Sequence, residues 1–373
     1  MKKVLHLCND DKFIPLGKII FDSLPEIENI FWVLPQKEEF QFIPFSAVNL
    51  ANVNINSDET IAEINKFDLL CIHFLNPKWY PLLSSGKIKI PILWIGWGGD
   101  YYWMIDIHSN FDLFLPKTFK KAVKYPAFLN PFVKKLKKLK HSNKFKTLHQ
   151  IQYFSPTFEE EFHLIKSSFP EWKAVYTPWN YGYINDSLIE KYSQLKCHGN
   201  KILIGNSATP TNNHLDIFHR LGHILSNYSL VLPLNYGNDA YKKTVIDQAK
   251  STFPQVEILD QFFAVNDFDK ILMQCQNLII GSIRQQAVGT IITSMYMGAN
   301  VFIFKDSMNY AFFKNHGFHL FSIEELEANP NLLNQRMNEQ QLQQNRQKIN
   351  ELWSIKRNAE QISRLLKYID TNP

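Results

Sequence analysis

Residues 277–298 contain an apolar run followed by a polar hinge whose side chains suit phosphate. A short strand is predicted before the hinge and a helix after it, so unpaired backbone N–H groups at the helix start would favour an anion. Arginine offers a planar fork of donors to phosphate oxygens, and glutamine offers both a donor and an acceptor to a nucleotide or a sugar. The hinge and the first helical turn contain Arg284, Gln285, Gln286, Gly289 and Thr290. An ordinary turn with its polar side chains in solvent is the alternative.

Two further predicted strand ends carry the same class of residue. Glycine lets the backbone approach a ligand closely, while amide and hydroxyl side chains bind sugar hydroxyls or phosphate. These positions are Gly205, Asn206 and Ser207 after one strand and Asn235, Tyr236 and Gly237 after the next. The alternative for the first loop is that Thr211 or Asn212 only caps the following helix. Because the carboxyl ends of parallel strands meet at one edge of a sheet, the three loops predict a single ligand site.

The elements that would position these loops alternate along both halves of the chain. Short apolar segments are separated by helical or polar segments, which predicts parallel sheets with helical crossovers. The pattern lapses at residues 177–183 and resumes near Lys201. We therefore expect an α/β protein of two Rossmann-like domains, 1–185 and 186–373, that face each other across a cleft in the GT-B arrangement. A terminal helix at about 349–369 could pack back on the first domain.

The composition is that of a globular protein, with 45% hydrophobic and 20% charged residues in a chain of 373. No apolar run reaches the roughly 18 residues that a transmembrane helix needs. The residues directly after Met1 and two lysines have the pattern of a strand. No secretory signal is therefore predicted, and a cytoplasmic protein is expected. The four cysteines are far apart in sequence, which favours buried reduced thiols over a metal cluster.

The positive charge is concentrated in one segment. Between Leu113 and Phe158 there are eleven lysines and no acidic residue, so the rest of the chain is mildly acidic. Bulky apolar residues are interleaved with the lysines, a mixture that suits an anionic bilayer surface. The predicted membrane contacts are Phe128, Phe132, Lys134, Lys135, Lys137 and Lys138. A solvated lysine face and a nucleic-acid arm are alternatives, but the aliphatic residues and the lack of arginine favour lipid, so no nucleic-acid partner is expected.

Several of these motifs occur together in a known family. Their order resembles the bacterial 4-acetamido-4,6-dideoxygalactosyltransferases, which are glycosyltransferase family 56 enzymes of enterobacterial common antigen synthesis. The similar motifs are Gly-Asn-Ser at 205–207, Leu-Pro-Leu-Asn-Tyr-Gly at 232–237, Arg-Gln-Gln-Ala-Val-Gly-Thr at 284–290 and Trp-Gly-Gly-Asp-Tyr-Tyr at 97–102. The similarity runs from Val4 to about His316, while the basic segment and the last fifty residues align poorly.

The resemblance implies a peripheral membrane enzyme of GT-B fold. Such an enzyme would move a 4-acetamido-4,6-dideoxyhexose from a dTDP-sugar donor to an undecaprenyl-diphosphate-linked saccharide acceptor. It would act in the synthesis of a bacterial surface polysaccharide, at the cytoplasmic face of the inner membrane. A nucleotide-sugar epimerase of similar fold and a non-catalytic sugar-binding or nucleic-acid-binding protein are the alternatives. The membrane-seeking segment argues against the epimerase, which needs no lipid-linked substrate.

The transfer would require stabilisation of the leaving diphosphate, and an inverting route would also require a base. We expect Arg284 and the helix start near Ala287 to stabilise the diphosphate, while Gln285, Gln286 and Asn206 hold other donor groups. Asp100 is the first choice of base, because it follows a glycine-rich strand end, and Asp10 is the second. The alternative for Asp100 is that its carboxylate braces the turn before it by accepting backbone N–H groups. His73 and His108 are weaker candidates.

No metal ion and no cofactor are expected. Asp267 and Asp269 match the D-x-D pattern with which many glycosyltransferases bind a divalent cation. A helix is predicted from Phe268, however, so a cap or a first-turn acid is the simpler role for these carboxylates.

Overall fold

The computed structural model of the protein describes residues 1–109, 111–123, 126, 129–182 and 186–371. The chain folds into two compact units. The first unit contains residues 1–110, 132–185 and 352–373, and the second contains residues 111–131 and 186–351. Each unit has one sheet whose strands alternate with helices, as the sequence pattern predicts.

The strands are short, and those in the middle of each sheet are buried, whereas the two-residue strands β3 and β7 are exposed or half-buried. Those of the first sheet are β1 (Lys2–Asn9), β2 (Ile27–Leu34), β3 (Val48–Asn49), β4 (Leu69–His73), β5 (Ile92–Ile95), β6 (Tyr153–Ser155) and β7 (Val175–Tyr176). Those of the second sheet are β8 (Lys201–Ile204), β9 (Leu230–Pro233), β10 (Val256–Leu259), β11 (Cys275–Ile280), β12 (Asn300–Ile303) and β13 (Phe321–Ser322).

Helices connect the strands. In the first half of the chain they are α1 (Ile14–Asp22), α2 (Asp58–Ile64), α3 (Tyr80–Ser84), α4 (Tyr102–His108), α5 (Pro116–Ala122), α6 (Asn130–Lys140), α7 (Ser142–Lys146), α8 (Glu159–Ser168) and α9 (Asp186–Gln194). In the second half they are α10 (His214–Leu225), α11 (Asp239–Thr252), α12 (Val265–Met273), α13 (Val288–Tyr296), α14 (Met308–Asn315), α15 (Ile323–Ala328), α16 (Glu339–Trp353) and α17 (Ile355–Thr371). None of the described helices combines the length and the apolar character needed to span a bilayer.

Every strand pairing within the described residues is parallel. The order is β3-β2-β1-β4-β5-β6-β7 in the first sheet and β10-β9-β8-β11-β12-β13 in the second. Both orders reverse direction beside the first strand of the unit, which is the doubly wound Rossmann pattern. The loops after β1 and β4, and those after β8 and β11, therefore leave neighbouring strands at the same edge of their sheet.

The last helix completes the core of the first unit. Ile362, Leu365, Leu366 and Ile369 of α17 are buried in one cluster with Val4 of β1 and with Ile20 and Phe21 of α1. Their spacing of three and four residues places these side chains on one face of the helix. The far end of the chain is thus part of the first hydrophobic core.

A segment from the first half of the sequence packs in the second unit. Helix α5 begins with its backbone N–H groups directed at a carboxylate of α10, because Asp216 accepts hydrogen bonds from Lys117 N at 2.8 Å and Thr118 N at 2.8 Å. Asn213 accepts another from Leu115 N at 2.9 Å. A carboxylate at a helix N-terminus satisfies unpaired donors and is favoured by the helix dipole. These contacts attach α5 to the second sheet.

Candidate active site

Three loops of the second unit leave the adjacent strands β9, β8 and β11 at one edge of the sheet. The loop after β8 turns at Gly205, whose φ of +70° disfavours any residue other than glycine at this position. A Cβ added there would lie 2.5 Å from Nε2 of the buried His214. Gly237 has a φ of +129°, and an added Cβ would lie 2.4 Å from the Ala208 carbonyl carbon. Both glycines are therefore required for the close packing of the loops.

Hydrogen bonds join the side chains of the three loops into one network. Gln286 Nε2 donates to Asn206 Oδ1 at 3.0 Å, and Asn206 Nδ2 donates to the Tyr236 hydroxyl at 3.0 Å. The Thr211 hydroxyl donates to Gln286 Oε1 at 2.6 Å and accepts from Arg284 Nε at 3.4 Å. The structure thus brings together residues that the sequence places in three separate loops.

Helix α13 starts beside this network with an open first turn. Its N-cap residue, Ala287, adopts a left-handed φ of +63° and has no side chain that could cap the helix. Gly289 is exposed, and no atom lies within 4 Å of the position that a Cβ would occupy there. The backbone N–H groups of this turn and the adjacent Arg284 give this edge of the sheet a positive potential.

Other predicted donor residues occupy different environments. Gln285 and Ser207 are buried, and the Ser207 hydroxyl donates to the Thr209 hydroxyl at 2.9 Å within its own loop. Asn235 and Thr290 are half-buried at the same edge. Ser207 therefore shapes the loop after β8, while Asn235 and Thr290 remain accessible.

An exposed aromatic pair next to the network was not predicted. The rings of Tyr236 and Phe262 stack at a centroid distance of 6.2 Å and an angle of 12°, and Phe262 is 72% exposed. The available signal was the pair of phenylalanines in the loop after β10, the strand next to β9. Such a surface can receive a flat ring.

In the first unit, Asp100 is a bracing residue of the loop after β5. It is 2% exposed, and Oδ2 accepts hydrogen bonds from Leu75 N at 2.9 Å and Trp94 Nε1 at 2.8 Å, while Oδ1 accepts from Trp97 N at 2.9 Å. Burial raises the pKa of Asp100, and the three hydrogen bonds oppose that rise. These contacts are the ones that the bracing interpretation requires, and the role of Asp100 as base stays a prediction.

Asp10 also braces a loop. Its side chain is fully buried, with Oδ2 accepting from Gln41 N at 2.6 Å and Oδ1 accepting from Phe42 N at 2.9 Å. Both carboxylate oxygens thus hold the chain that follows β2. The second candidate base is directed away from solvent.

The carboxyl ends of four adjacent strands of the first sheet surround a cavity of about 480 Å³, which we call the first-sheet cavity. This volume lies in the range of small-molecule sites. Its lining combines amide, charged and aromatic side chains: Asn9, Asp11, Leu34, Pro35, Gln36, Phe74, Asn76, Lys78 and Trp97. Asp11 was not singled out by the sequence, where it is one of two consecutive aspartates.

A buried chain of polar side chains holds one wall of the first-sheet cavity. Trp97 Nε1 donates to the Tyr181 hydroxyl at 2.9 Å, and that hydroxyl contacts His73 Nδ1. His73 Nε2 lies 2.9 Å from His6 Nδ1, and His6 Nε2 lies 3.1 Å from Asn29 Oδ1. The Trp97 indole can only donate, and the Asn29 amide oxygen can only accept. Each group between them therefore accepts a hydrogen bond from the Trp97 side and donates one toward Asn29.

Burial keeps both imidazoles of this chain neutral. It lowers the pKa of His6 to about 4 and that of His73 well below its ordinary value. A neutral imidazole donates one hydrogen bond and accepts one, as the chain requires. His73 is therefore a positioning residue for the Trp97 wall. His108 lies elsewhere, against Phe145 and Phe169.

Within the lysine-rich segment, α6 is an amphipathic surface helix. Phe132, Leu136 and Leu139 of α6 are 61%, 51% and 68% exposed, and their spacing places them on one face. Lys135, Lys137, Lys138 and Lys140 are exposed around this apolar stripe. On the opposite side, Lys134 Nζ lies 3.2 Å from Asp106 Oδ1, so Lys134 anchors the helix. Phe128, another predicted membrane contact, lies outside the described residues.

The two carboxylates of the D-x-D pattern are engaged in ion pairs. Helix α12 begins at Val265, earlier than the predicted start, which places Asp267 in the first turn. Asp267 pairs with Lys270 at 2.8 Å, and the buried Asp269 pairs with Lys191 at 2.7 Å. Within the residues that the structure describes, no group of three or more histidine, cysteine, aspartate or glutamate side chains could hold a metal ion.

The chain matches one protein family over residues 60–354, which is well over half of its length. The family is described as 4-alpha-L-fucosyltransferase, glycosyl transferase group 56. The matched range includes the three loops of the second unit and Asp100, but not Asp10 or Asp11. No curated protein matches the chain.

Several solved structures share the fold. The sucrose-phosphate synthase of Thermosynechococcus elongatus is 9% identical with a TM-score of 0.65, and the match covers 100% of both chains. HepE of Anabaena, in complex with UDP and glucose, is 13% identical with a TM-score of 0.62 over 99% of this chain and 100% of that one. The lipopolysaccharide outer core galactosyltransferase WaaB is 9% identical with a TM-score of 0.58 over 94% and 95%.

These identities are low enough that the structural likeness shows the fold alone. It confirms the prediction of two Rossmann-like domains of GT-B type. The family match confirms the resemblance that the sequence motifs indicated. The protein is a glycosyltransferase, and it belongs to glycosyl transferase group 56.

Proposed function

We propose that this glycosyltransferase moves a 4-acetamido-4,6-dideoxyhexose from a dTDP-sugar donor to an undecaprenyl-diphosphate-linked saccharide. The resemblance of the motifs to the dideoxygalactosyltransferases supports this donor. The family description supports a sugar of this type as well, because fucose is itself a 6-deoxyhexose. The product would be an intermediate of a bacterial surface polysaccharide.

The observation that carries the proposal is the network at the edge of the second sheet. Arg284 and the first turn of α13 offer charge and N–H donors to a diphosphate, whose negative charge increases as it leaves. Gln286 and Asn206 present amide groups beside them, suited to sugar hydroxyls or an acetamido group. The stacked pair of Tyr236 and Phe262 offers a flat surface for the nucleoside base.

Helix α6 supports a lipid-linked acceptor. It exposes an apolar stripe flanked by lysines, which matches a helix that lies in the headgroup region of an anionic bilayer. A short helix of this kind binds by combining buried apolar area with attraction to anionic lipid. The enzyme would then work at the cytoplasmic face of the inner membrane, where undecaprenyl-linked saccharides are accessible.

Nucleotide binding is the first test of the donor. In a thermal-shift screen of dTDP, UDP, GDP and CDP, we expect dTDP to stabilise the protein most, because it is the nucleotide of the proposed donor. A ligand that binds only the folded state adds about 2.7 kcal/mol to the free energy of unfolding at a concentration 100-fold above its Kd. Thymidine without phosphate serves as a control and should have little effect. Stabilisation by a different nucleotide would move the proposal to another donor, and no stabilisation by any nucleotide would refute the donor site.

Membrane binding is predicted to depend on the apolar stripe of α6. The double substitution Phe132→Asp and Leu136→Asp should weaken binding to vesicles containing phosphatidylglycerol by about tenfold or more, because a carboxylate is costly to bury and repels anionic lipid. Vesicle sedimentation across a salt series measures the effect.

The matched control for this helix is Ile19→Asp on α1, because Ile19 is also an exposed aliphatic residue, at 53%. It should bind vesicles like the unsubstituted protein. If the Phe132→Asp, Leu136→Asp protein binds vesicles as tightly as the unsubstituted protein, the membrane role is wrong. It is also wrong if the unsubstituted protein binds single-stranded RNA more tightly than vesicles at the same salt concentration.

A further inference from the structure

The first-sheet cavity has the features of a saccharide site, and no predicted site residue lines it. Trp97 and Phe74 supply aromatic walls, with their ring centroids 5.4 Å apart. Asn76 Nδ2 donates to Asn9 Oδ1 at 2.8 Å, while the Asn9 amide nitrogen has no hydrogen-bond partner among the described residues. A mixture of aromatic walls and converging amides binds the apolar faces and the hydroxyl groups of a sugar ring.

Asp11 is the one carboxylate among the residues that line this cavity. Oδ1 accepts a hydrogen bond from Phe13 N at 3.0 Å, which fixes the side chain. Oδ2 has no hydrogen-bond or ion-pair partner within the described part of the chain. Both oxygens of Asp10 and both oxygens of Asp100 are occupied by N–H groups. Of these three carboxylates, Asp11 alone combines a fixed position with an oxygen able to accept a proton.

We propose that the first-sheet cavity binds the acceptor saccharide and that Asp11 is the base for its reacting hydroxyl. The proposal rests on the proposed function, because it assigns the acceptor side of that reaction. The hydroxyl proton passes to Asp11 Oδ2, and the acceptor oxygen forms a bond to the anomeric carbon of the donor. The bond from that carbon to the diphosphate oxygen breaks, and its electron pair leaves with the nucleoside diphosphate.

The surroundings of Asp11 suit this role. Partial burial raises the pKa of Asp11, while the hydrogen bond from Phe13 N and the charge of Lys12 act in the opposite direction. A carboxylate with a raised pKa is a stronger base. Activity should accordingly fall at acidic pH as Asp11 becomes protonated.

The substitution Asp11→Asn tests the base in the full-length protein. With dTDP-4-acetamido-4,6-dideoxygalactose and an undecaprenyl-diphosphate-linked saccharide, we expect kcat to fall by about 10²–10⁴-fold. Asparagine keeps the oxygen that accepts from Phe13 N, so the loop should remain folded, and dTDP binding should change by less than about twofold. Asp11→Glu should restore part of the rate, since it returns a carboxylate.

The pH profile separates a base from a residue that only shapes the loop. The unsubstituted enzyme should lose kcat/KM toward acidic pH, and Asp11→Asn should lack that acidic limb. Asp58→Asn, at an exposed aspartate of α2 that pairs with Lys87, is the control and should retain both rate and profile. A fall in kcat of less than tenfold, or an acidic limb that persists in Asp11→Asn, would overturn the assignment of the base.

Binding of free sugars tests the cavity without the donor. Saturation-transfer NMR with the methyl glycosides of glucose, mannose and N-acetylglucosamine should detect at least one of them, and Asn9→Ala should weaken that signal. If none of the three is detected, the cavity is not a saccharide site. If glycosides bind but no nucleotide stabilises the protein, the cavity stands while the proposed donor and reaction fail.

Discussion

Replacing Arg284 with alanine is expected to lower kcat/KM for sugar transfer by about 10²–10³-fold, the loss typical of removing one preorganised group that stabilises transition-state charge. The side chain lies beside the open first turn of α13 and is held by hydrogen bonds to Thr211 and to the Gln285 carbonyl oxygen. Its removal leaves the helix turn alone to neutralise the departing diphosphate. Initial rates and dTDP calorimetry would measure the effects on turnover and on binding.

Two further arginine variants show whether this effect depends on the site. Arg284→Lys should fall between the unsubstituted enzyme and Arg284→Ala, because an ammonium keeps the charge but not the planar fork. Arg364→Ala, at an exposed position of α17, should leave both rate and dTDP affinity unchanged. If Arg284→Ala retains dTDP affinity and at least a third of the rate, the diphosphate lies elsewhere.

For Asp100→Asn, the expected result is a fall of about 3 kcal/mol in the free energy of unfolding. The substitution replaces one carboxylate oxygen with an NH₂ group, which would face either Trp97 N or the pair formed by Leu75 N and Trp94 Nε1. At least one buried donor is then left without an acceptor. Urea denaturation of the two proteins at neutral pH measures the difference.

The same variant decides between the two roles of Asp100. A bracing residue gives a less stable protein whose folded fraction still turns over, whereas a base gives a stable protein whose kcat falls by about 100-fold or more. Asp58→Asn should change neither quantity, because Asp58 is exposed. Near-normal stability with lost turnover would restore Asp100 as the base and exclude Asp11.

Much of the fold could be predicted because the central strands of each sheet are buried on both faces. Parallel sheets covered by helices require nearly continuous apolar strands, and such runs stand out between polar segments. Residues 4–8 and 202–204 are examples, and all of their side chains are buried. The start of α13 was also close to its predicted position, since a glycine and a polar hinge ended the strand before it.

The grouping of Arg284, Gln286, Asn206 and Tyr236 follows from topology, because adjacent parallel strands release their loops at one edge. The individual contacts could not be predicted in the same way. Asp10 and Asp11 are neighbours with identical side chains, and only the positions of Gln41 N and Phe42 N determine which of them is enclosed.

Contacts between residues that are distant in sequence account for the other features that could not be predicted. Asp216 and the start of α5 are about a hundred residues apart, so no local pattern links a carboxylate on one helix to the N–H groups of another. The chain from His6 to Trp97 likewise joins β1, β4 and the loops that follow β5 and β7. Such arrangements depend on the folded backbone rather than on sequence spacing.

The place of α17 in the first core has a consequence for how the protein is made. A ribosome releases the chain from its N-terminus, and domains commonly fold in that order. Here all the residues of the second unit precede Leu352, whereas the first unit needs Ile362, Leu365 and Ile369 to cover Val4 and Phe21. The second unit can therefore be finished during translation before α17 is made, while the first unit must wait until α17 has been synthesised.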